Sequence, residues 1–364
     1  MTSTGDTKRD VETPSLCLDL SRFEANLTKL TTQIGSAGKA WRPHVDCHGS
    51  PQIALQQIQM GAVGLTCASI SEAEFFARAG IRDLLISQLP VGTRRNQRIA
   101  TLCLIADPII TCDHYAQAES LSAVCVRQGV TCRVLVEINL GTERSGVRPG
   151  RDAIELARAI QKRPHLQLCG IMGCEGPTAA DSKQIDDERN IDAALGILSH
   201  ARHVFRKNEL CCDIVSAGGT GSLSRVLACD AVTELQHGSL IFGDGCSTDR
   251  LSPARLEPAL TLLTTLVSRP AFERAVLDAG RKSCCVESGP PTIRNGMDAR
   301  ISRVNSDHLI VSLGPSSAEW RIGDRVEIEV DSPQMMTLLH KEFHCFRQDR
   351  LEAVWPIQGR GKLA

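Results

Sequence analysis

Three polar side chains alternate along residues 41–49, where His44, Asp46 and His48 are separated by single residues. Residues two apart in a strand project from the same face, so these side chains could converge at one strand end. Two imidazoles and a carboxylate can transfer protons or bind a metal ion. The alternative is a polar strand end whose imidazoles make only structural hydrogen bonds. We predict catalytic roles for His44, Asp46 and His48.

A glycine-rich stretch at 216–222 reads SAGGTGS and lies between a predicted strand and a predicted helix. Consecutive glycines let the backbone approach an anion, and exposed N–H groups at a helix start favour negative charge. A Gly-Ser pair after the next predicted strand could close the same site. The alternative is a tight turn without a ligand. The predicted phosphate-binding residues are Gly218, Gly219, Thr220, Gly221, Gly238 and Ser239.

Arg144 lies in a glycine-flanked loop that follows another predicted strand. A guanidinium group at this position could donate hydrogen bonds to a cofactor ring oxygen or to a substrate carboxylate. The alternative is an exposed loop arginine with no ligand. We predict a cofactor-binding role for Arg144.

His340 and His344 offer a second pair of possible metal ligands. If they lie on one strand, they are roughly 13 Å apart along it, too far for one zinc ion. We interpret both histidines as structural.

The elements that must position these residues follow a regular rhythm. Short β-rich runs near 41–45, 63–67, 83–87, 108–112, 132–138, 166–173, 212–216 and 232–236 alternate with helical segments. Continuously apolar runs such as 133–138 are typical of a parallel sheet buried on both faces. Eight strand-helix units predict an α/β fold, a (β/α)₈ barrel over residues 21–255, with function at the carboxyl ends of its strands.

From about residue 256 the rhythm changes to strands without intervening helices. This pattern predicts a mainly antiparallel β-domain. We assign residues 256–364 to it, together with a strand at 13–20. No linker-like segment separates the two parts, so we expect them to pack together.

Composition and net charge limit the classes of partner that we expect. A formal net charge of −1 argues against nucleic acid or an anionic membrane held by bulk electrostatics, and favours a small-molecule substrate. The chain is long for a disulfide-stapled secreted domain, so we expect its 16 cysteines to be reduced thiols. We find neither a signal peptide nor a membrane-spanning run of about 18 apolar residues, and expect a cytoplasmic protein.

These stretches, in this order, resemble the D-threonine aldolase and D-serine dehydratase family, pyridoxal-phosphate enzymes built on the alanine-racemase-like barrel. The resemblance rests on the segments TPSLCLDL, RPHVDCH, VEINLGTERSGVRPG, GIMGCEGP, DIVSAGGTGS, VTELQHGSLIFGD, DAGRKS and AVWPIQGRGK. It implies a lyase acting on small D-configured β-hydroxy amino acids. It also implies a homodimer in which the β-domain shapes the site across the interface.

The residue at the family's Schiff-base lysine position is Asp46, and the second lysine position is Gly49. A carboxylate cannot form an imine, so pyridoxal phosphate would bind without a covalent bond. Lys39 lies at the wrong end of the first strand. Lys282, in DAGRKS, is a candidate replacement that could reach the site from the β-domain.

Other departures affect the reacting end of the cofactor. The resemblance places Ser332 and Gln334 at the family's metal-ligand positions, and neither is a good ligand for a divalent ion, so we expect no metal. The family's cofactor-side tyrosine is Cys174, and a nearby family histidine is Pro177. Leu338 stands where the family has asparagine or histidine.

Three functions are consistent with this pattern. The first is a D-threonine aldolase-like or D-serine dehydratase-like lyase with impaired or altered chemistry. The second is a repurposed barrel enzyme that binds another phosphorylated ligand. The third is a non-catalytic binding protein.

Overall fold

The computed structural model describes residues 3–175, 184–219, 221–243, 256–287, 289–296 and 298–362, without the side chains of 184–189. After β1 (Ser15–Asp19), eight strands form one parallel sheet in the order β2–β9–β8–β7–β6–β5–β4–β3. These strands are β2 (Ala40–Trp41), β3 (Leu65–Cys67), β4 (Asp83–Ile86), β5 (Asp107–Cys112), β6 (Cys132–Glu137), β7 (Leu166–Met172), β8 (Ile214–Ala217) and β9 (Glu234–Leu235). Each of the eight predicted strand positions therefore contains a barrel strand, and the predicted fold class is confirmed.

Helices cover the outside of this sheet. They are α1 (Leu20–Ser36), α2 (Pro51–Gln59), α3 (Ile70–Arg78), α4 (Thr93–Leu102), α5 (Tyr115–Gln128), α6 (Arg151–Gln161), α7 (Gln184–Lys207) and α8 (Leu223–Ala228). In α6 the buried residues are Ala153, Leu156, Ala157 and Ile160, the spacing of one apolar helix face. A capping box begins α3, where Ser69 accepts from the N–H of Glu72 and the Glu72 carboxylate accepts from that of Ser69. Local sequence thus fixes both the start and the buried face of barrel helices.

The barrel closes beside the first motif. The N–H of Val63 donates to the carbonyl of Trp41 (2.8 Å), and the N–H of Thr66 donates to that of Pro43 (2.9 Å). An isolated parallel bridge joins His44 to Thr66. Strand β2, paired with β9 on its other side, thereby meets β3 and carries His44 to the mouth of the barrel.

A buried ion-pair network lies among the barrel strands. Arg42 is 2% exposed, and its guanidinium contacts Glu234 (3.0 Å) and Asp83 (2.7 Å). Asp83 also pairs with Arg133 at 2.6 Å. Removing one partner of a buried pair leaves the other charge uncompensated, so this network is a stability element.

The second sheet is mainly antiparallel. Its strands are β1, β10 (Leu260–Ala271), β11 (Arg274–Leu277), β12 (Arg300–Val304), β13 (Leu309–Ser312), β14 (Arg325–Glu329), β15 (Glu342–Arg347) and β16 (Arg350–Pro356). Strand β1 pairs antiparallel with β10 and parallel with β15. One hydrophobic cluster contains residues of the barrel and of this sheet, so the two parts share a core.

The expectation of a β-domain without helices is wrong, because α9 (Pro333–Leu339) interrupts it. Pro333 occupies the first helical position, where its missing N–H costs nothing. Met336 and Thr337 are buried on this helix, and the Thr337 hydroxyl donates to the carbonyl of Asp46 (3.4 Å). The helix therefore docks on the barrel mouth, a tertiary contact that propensity does not reveal.

Burial also governs the thiols. The side chains of Cys17, Cys112 and Cys212 lie in the interior, and burial raises the pKa of each to about 12. These thiols stay protonated at neutral pH and behave as small apolar side chains.

No helix among the described residues combines the length and apolar character needed to cross a bilayer.

Candidate functional site

A cavity of about 220 Å³ lies at the carboxyl ends of the barrel strands, with Gln334 of α9 on its wall. It is lined by His44, Asp46, Ser87, Arg144, Met172, Gly173, Cys174, Gly218, Gly219, Gln236, His237, Gly238, Ser239 and Gln334. Seven of these are predicted site residues: His44, Asp46, Arg144, Gly218, Gly219, Gly238 and Ser239. The location and size suit a small ligand at a barrel mouth.

A larger groove of about 1090 Å³ lies along the second sheet. Several of its charged groups already have partners: Lys8 pairs with Glu327 (2.6 Å), and Arg325 donates to the carbonyls of Arg9 and Val11. Neutralised charges and an open surface favour a structural role. We therefore place the candidate site at the smaller cavity.

The first motif does not form the expected strand. Residues 45–47 make one turn of 3₁₀ helix, and β2 ends at Trp41. Nδ1 of His44 lies 3.3 Å from the backbone nitrogen of Asp46, and in the neutral ring it can accept from that N–H and cap this turn. The expected alternation of three side chains on one strand face is therefore wrong, because local capping competes with the extended conformation.

His44 and Asp46 meet across this turn. Nδ1 of His44 lies 2.9 Å from Oδ1 of Asp46, and Nε2 lies 3.5 Å from the hydroxyl of Ser87. Burial lowers the pKa of His44, but the nearby Asp46 carboxylate outweighs it, and the net shift is upward. Partial desolvation raises the pKa of Asp46, but the imidazole of His44 outweighs this effect and leaves the pKa below its ordinary value. The 2.9 Å contact suits an imidazolium that donates from Nδ1 to a carboxylate.

His48 lies outside this arrangement. Its ring is fully buried and packs edge-on against Phe76, with 6.2 Å between ring centroids. Nδ1 accepts from the N–H of Ser50 at 3.0 Å. Burial lowers the pKa of His48 to about 4, so the ring is neutral at physiological pH. The geometry does not bring His48 to the cavity with His44 and Asp46, because the 3₁₀ turn rotates it into the core.

The glycine turn after β8 holds an internal anion. The N–H groups of Gly218 and Gly219 donate to the carboxylate of Glu175, at 3.1 and 2.7 Å. Gly218 has φ +119°, and a Cβ there would lie 2.6 Å from Nδ1 of His237, so only glycine fits. Thr220 lies outside the described residues, and Gly221 is not among the cavity-lining residues. Sequence reasoning missed Glu175, although GIMGCEGP carried it.

Gly238 and Ser239 form another part of the cavity wall, at the start of a short 3₁₀ helix, Ser239–Phe242. Neither backbone N–H has a hydrogen-bond acceptor among the described residues. A Cβ on Gly238 would lie 2.2 Å from the carbonyl oxygen of His44, so this glycine lets the two loops touch. These two N–H groups are available for an anionic ligand.

Arg144 lines the cavity from an exposed loop. The two residues that follow Arg144 anchor the loop: the Ser145 hydroxyl donates to Glu137 (2.6 Å), and the N–H of Gly146 donates to Asp113 (3.1 Å). In the described part of the chain, Arg144 forms no ion pair. Its guanidinium can therefore meet a ligand carboxylate or phosphate.

Gln334 contributes an unusual polar atom to the cavity. Its Oε1 is buried and has no hydrogen-bond partner among the described residues. An unsatisfied buried acceptor is costly unless a ligand donor or water meets it. Within the described ranges no three His, Cys, Asp or Glu side chains are grouped as metal ligands, and Ser332 and Gln334 add no anionic ligand.

No described lysine lines the cavity. The amine of Lys39 donates to the carbonyls of Cys229 and Val232, both at 2.7 Å. Lys282 pairs with Asp307 at 2.8 Å, and its side chain is 73% exposed. Neither amine replaces the missing lysine. Pro177 lies outside the described residues.

His340 and His344, near the carboxyl terminus, have structural surroundings and, among the described residues, no ligand site. Nε2 of His340 lies 2.8 Å from the carbonyl of Ser283, and burial lowers the pKa of both His340 and His344. His340 ends α9, whereas His344 belongs to β15. The premise that one strand carries both is wrong.

Comparison with known proteins agrees with this architecture. Residues 18–245 match the model of the alanine racemase N-terminal domain, more than half of the chain, and residues 259–346 match a serine dehydratase domain. The chain belongs to the alanine racemase N-terminal domain family. Members of this family depend on pyridoxal phosphate.

Individual relatives are similar to this chain over nearly its full length. A D-threonine aldolase of Arthrobacter sp. is 33% identical over 98% of this chain and 95% of the relative. A 3-hydroxy-D-aspartate aldolase of Paracoccus denitrificans is 29% identical over 98% and 94%. The crystal structure of a D-threonine aldolase from Filomicrobium marinum superposes with a TM-score of 0.94, at 31% identity and full coverage of both chains.

The cavity fits one end of the family's cofactor better than the other. Two unsatisfied N–H groups, of Gly238 and Ser239, and the guanidinium of Arg144 suit a phosphate and a polar ring. At the other end Asp46 replaces the amine. The residues therefore fit pyridoxal phosphate bound by non-covalent contacts, with the ligand's charge met by dipoles and one arginine.

Proposed function

We propose that this protein acts on small D-configured β-hydroxy amino acids, with His44 and Asp46 as its proton-transfer pair and pyridoxal phosphate bound non-covalently. The observation that carries the proposal is the 2.9 Å contact between Nδ1 of His44 and Asp46 at the wall of the barrel-mouth cavity. Support for the substrate class comes from the aldolase relatives.

The proton-transfer role follows from the geometry of the pair. Asp46 accepts from Nδ1, which leaves Nε2 directed at the Ser87 hydroxyl, 3.5 Å away in the same cavity. A carboxylate that orients an imidazole also stabilises its cationic form. The raised pKa of His44 keeps a larger fraction of the ring protonated near neutral pH. In its neutral form His44 can take a proton at Nε2 from a substrate hydroxyl, and in its protonated form it can return one to the product.

Substrate orientation falls to the groups around this pair. The Arg144 guanidinium can bind a substrate carboxylate, and Oε1 of Gln334 can accept from an ammonium or hydroxyl group. A cavity of about 220 Å³ limits the ligand to small-molecule dimensions. Specificity for a compact amino acid is consistent with both features.

Pyridoxal phosphate supplies electron withdrawal from the substrate's α-carbon when it is bound. The chain's own contribution is to hold its phosphate at Gly238 and Ser239, without a lysine. We expect weaker cofactor retention and slower turnover than in a lysine-containing protein, because covalent anchoring is lost. The homodimer implied by the family resemblance stays a prediction.

An absorbance titration tests the proposal. Purified protein is titrated with pyridoxal phosphate and then with D-threonine or D-serine, with L-threonine as the stereochemical control. We expect saturable cofactor binding, a spectral change with the D-isomers, and release of aldehyde or ammonia. His44→Gln should reduce that release about a hundredfold, whereas Lys282→Ala, an exposed change, should not alter it.

Two outcomes contradict the proposal. Binding without any product would favour the non-catalytic alternative. No cofactor binding, combined with saturable binding of another phosphorylated compound, would favour the repurposed barrel enzyme.

A further inference from the structure

A segment near the carboxyl terminus, residues 357–362, lies against the 3₁₀ turn at 45–47. The N–H of Gly359 donates to the carbonyl of Gly49 at 2.7 Å, and the N–H of Gly49 donates to the carbonyl of Val45 at 2.8 Å. Val45 is the first residue of that turn. Two consecutive hydrogen bonds therefore connect this segment to the turn that carries the imidazole–carboxylate pair.

The contact between the segment and the barrel is a close approach of two backbones. A Cβ on Gly359 would lie 2.9 Å from the carbonyl oxygen of Gly49 and 3.0 Å from its Cα atom. Gly49 has φ +53°, in the left-handed region that favours glycine. Gly359 is buried, whereas its neighbours Gln358 and Arg360 are exposed. A side chain on Gly359 would therefore separate the segment from the barrel.

Further contacts hold the segment on both sides of Gly359. The N–H of Ile357 donates to the carbonyl of Lys341 at 2.8 Å, and the Ile357 side chain is 4% exposed. At the other end, the Ser69 hydroxyl donates to the carbonyl of Lys362 at 2.5 Å. The segment is thereby attached next to β15 at one end and to the start of α3 at the other.

The position of Asp46 decides the charge state of His44. Burial lowers the pKa of His44, whereas the carboxylates of Asp46 and, to a smaller extent, of Glu72 raise it. Glu72 belongs to the first turn of α3, whose cap Ser69 contacts Lys362. The Asp46 side chain is 46% exposed, so the backbone of its turn, more than packing around the carboxylate, sets its distance from His44.

We propose that the segment positions the turn at 45–47, with Gly359 as the central contact. It holds the turn in the conformation in which Asp46 contacts His44, and it acts through the backbone of Gly49. The consequence for proton transfer rests on the proposed function. The effect on the His44 ring is measurable without cofactor or substrate, so a failure of this proposal can be told from a failure of the proposed function.

Gly359→Ala tests the proposal. The added methyl group must push the segment away from Gly49, so the turn should relax and the Asp46 carboxylate should move away from His44. NMR titration of the imidazole should then give a lower His44 pKa than in the wild type, because the charge that opposes burial is more distant. Gln358→Ala, an exposed change in the same segment, should leave this titration unchanged. A wild-type His44 pKa in folded G359A would overturn the proposal.

A double variant separates positioning from a general loosening of the fold. If the segment acts through Asp46, Gly359→Ala should not change the His44 pKa further in an Asp46→Asn background. A further decrease in that background would mean that the segment affects His44 by another route, and would contradict the proposal.

Amide hydrogen exchange of the wild-type protein covers the case in which G359A does not fold. We expect slow exchange at both Gly359 and Gly49, because their two hydrogen bonds are consecutive and should open together. Fast exchange at Gly359 would show that the segment is not seated on the turn. Such exchange with Gly49 still protected would show that the turn keeps its conformation without the segment, and either result would overturn the proposal.

Discussion

His44 and Asp46 lie two residues apart and contact each other at 2.9 Å, between Nδ1 and Oδ1, because a 3₁₀ turn folds the chain back between them. In an extended strand the two side chains would point to the same face without this contact. The turn thus converts two neighbouring polar residues into an imidazole–carboxylate pair. The pair lines the cavity at the point where the barrel closes.

Asp46→Asn should lower the pKa of His44. Burial already favours the neutral ring, and the carboxylate provides the largest opposing contribution. Loss of that charge leaves burial dominant, so the protonated fraction at neutral pH should fall. NMR titration of the imidazole resonances measures this change. Asp349→Asn, an exposed control, should leave the His44 titration as in the wild type; an unchanged pKa in D46N would refute the pairing.

His48 should make the protein less stable in acid. Its pKa is about 4 in the folded protein and about 6.5 in an unfolded chain, so the unfolded state binds the proton first. The contribution of the neutral His48 ring to the free energy of unfolding should be fully present above pH 6.5. The free energy of unfolding should decrease by up to about 3 kcal/mol as the pH falls from 6.5 through 4.

Urea unfolding of His48→Asn across this pH range measures the effect. The asparagine oxygen can still accept from the N–H of Ser50 but does not titrate, so the acid dependence should be shallower. His308→Asn alters an exposed histidine and should retain the wild-type slope. Equal slopes in H48N and the wild type would contradict a buried neutral ring.

Much of the architecture follows from sequence patterns. Short apolar runs predicted the eight barrel strands, because strands of a sheet that is buried on both faces are apolar on both sides. The apolar spacing over residues 115–128 predicts a helix, and α5 spans Tyr115–Gln128, with Gly129 in the left-handed region as its cap. These features depend on local spacing, which a single sequence contains.

Details of the site depend on contacts that local patterns do not encode. The 3₁₀ turn at 45–47 depends on a cap from His44 and on contact between Gly238 and the His44 carbonyl. Glu175 reaches Gly219 across 44 residues of chain. Gln334 and Ser87 enter the cavity from different elements, and neither residue type signals a site by itself. Tertiary placement decides such positions.

Asp46→Lys should restore covalent binding of pyridoxal phosphate. The side chain already borders the cavity and is 46% exposed, so a longer amine can reach a bound aldehyde. We expect a new absorbance band from an imine and, after borohydride reduction, a mass increase localised to residue 46. Asp46→Arg provides a matched positive charge that cannot form this bond. A colourless D46K protein with added cofactor would count against placing the aldehyde end beside Asp46.

Gly238→Ala should damage the site through a single methyl group. The added Cβ would lie 2.2 Å from the carbonyl oxygen of His44, so the loop after β9 and the His44 turn must separate. Overpacking of this kind costs about 1–3 kcal/mol of stability, and the displaced N–H groups should bind phosphate at least tenfold more weakly. Thermal unfolding and a titration with pyridoxal phosphate measure both effects.

Gly196→Ala is the control, because Gly196 lies on the exposed face of α7 with open space around its Cβ. This variant should instead stabilise the protein by up to about 1 kcal/mol. Wild-type affinity and stability in G238A would mean that the two loops are not in the close contact that positions His44.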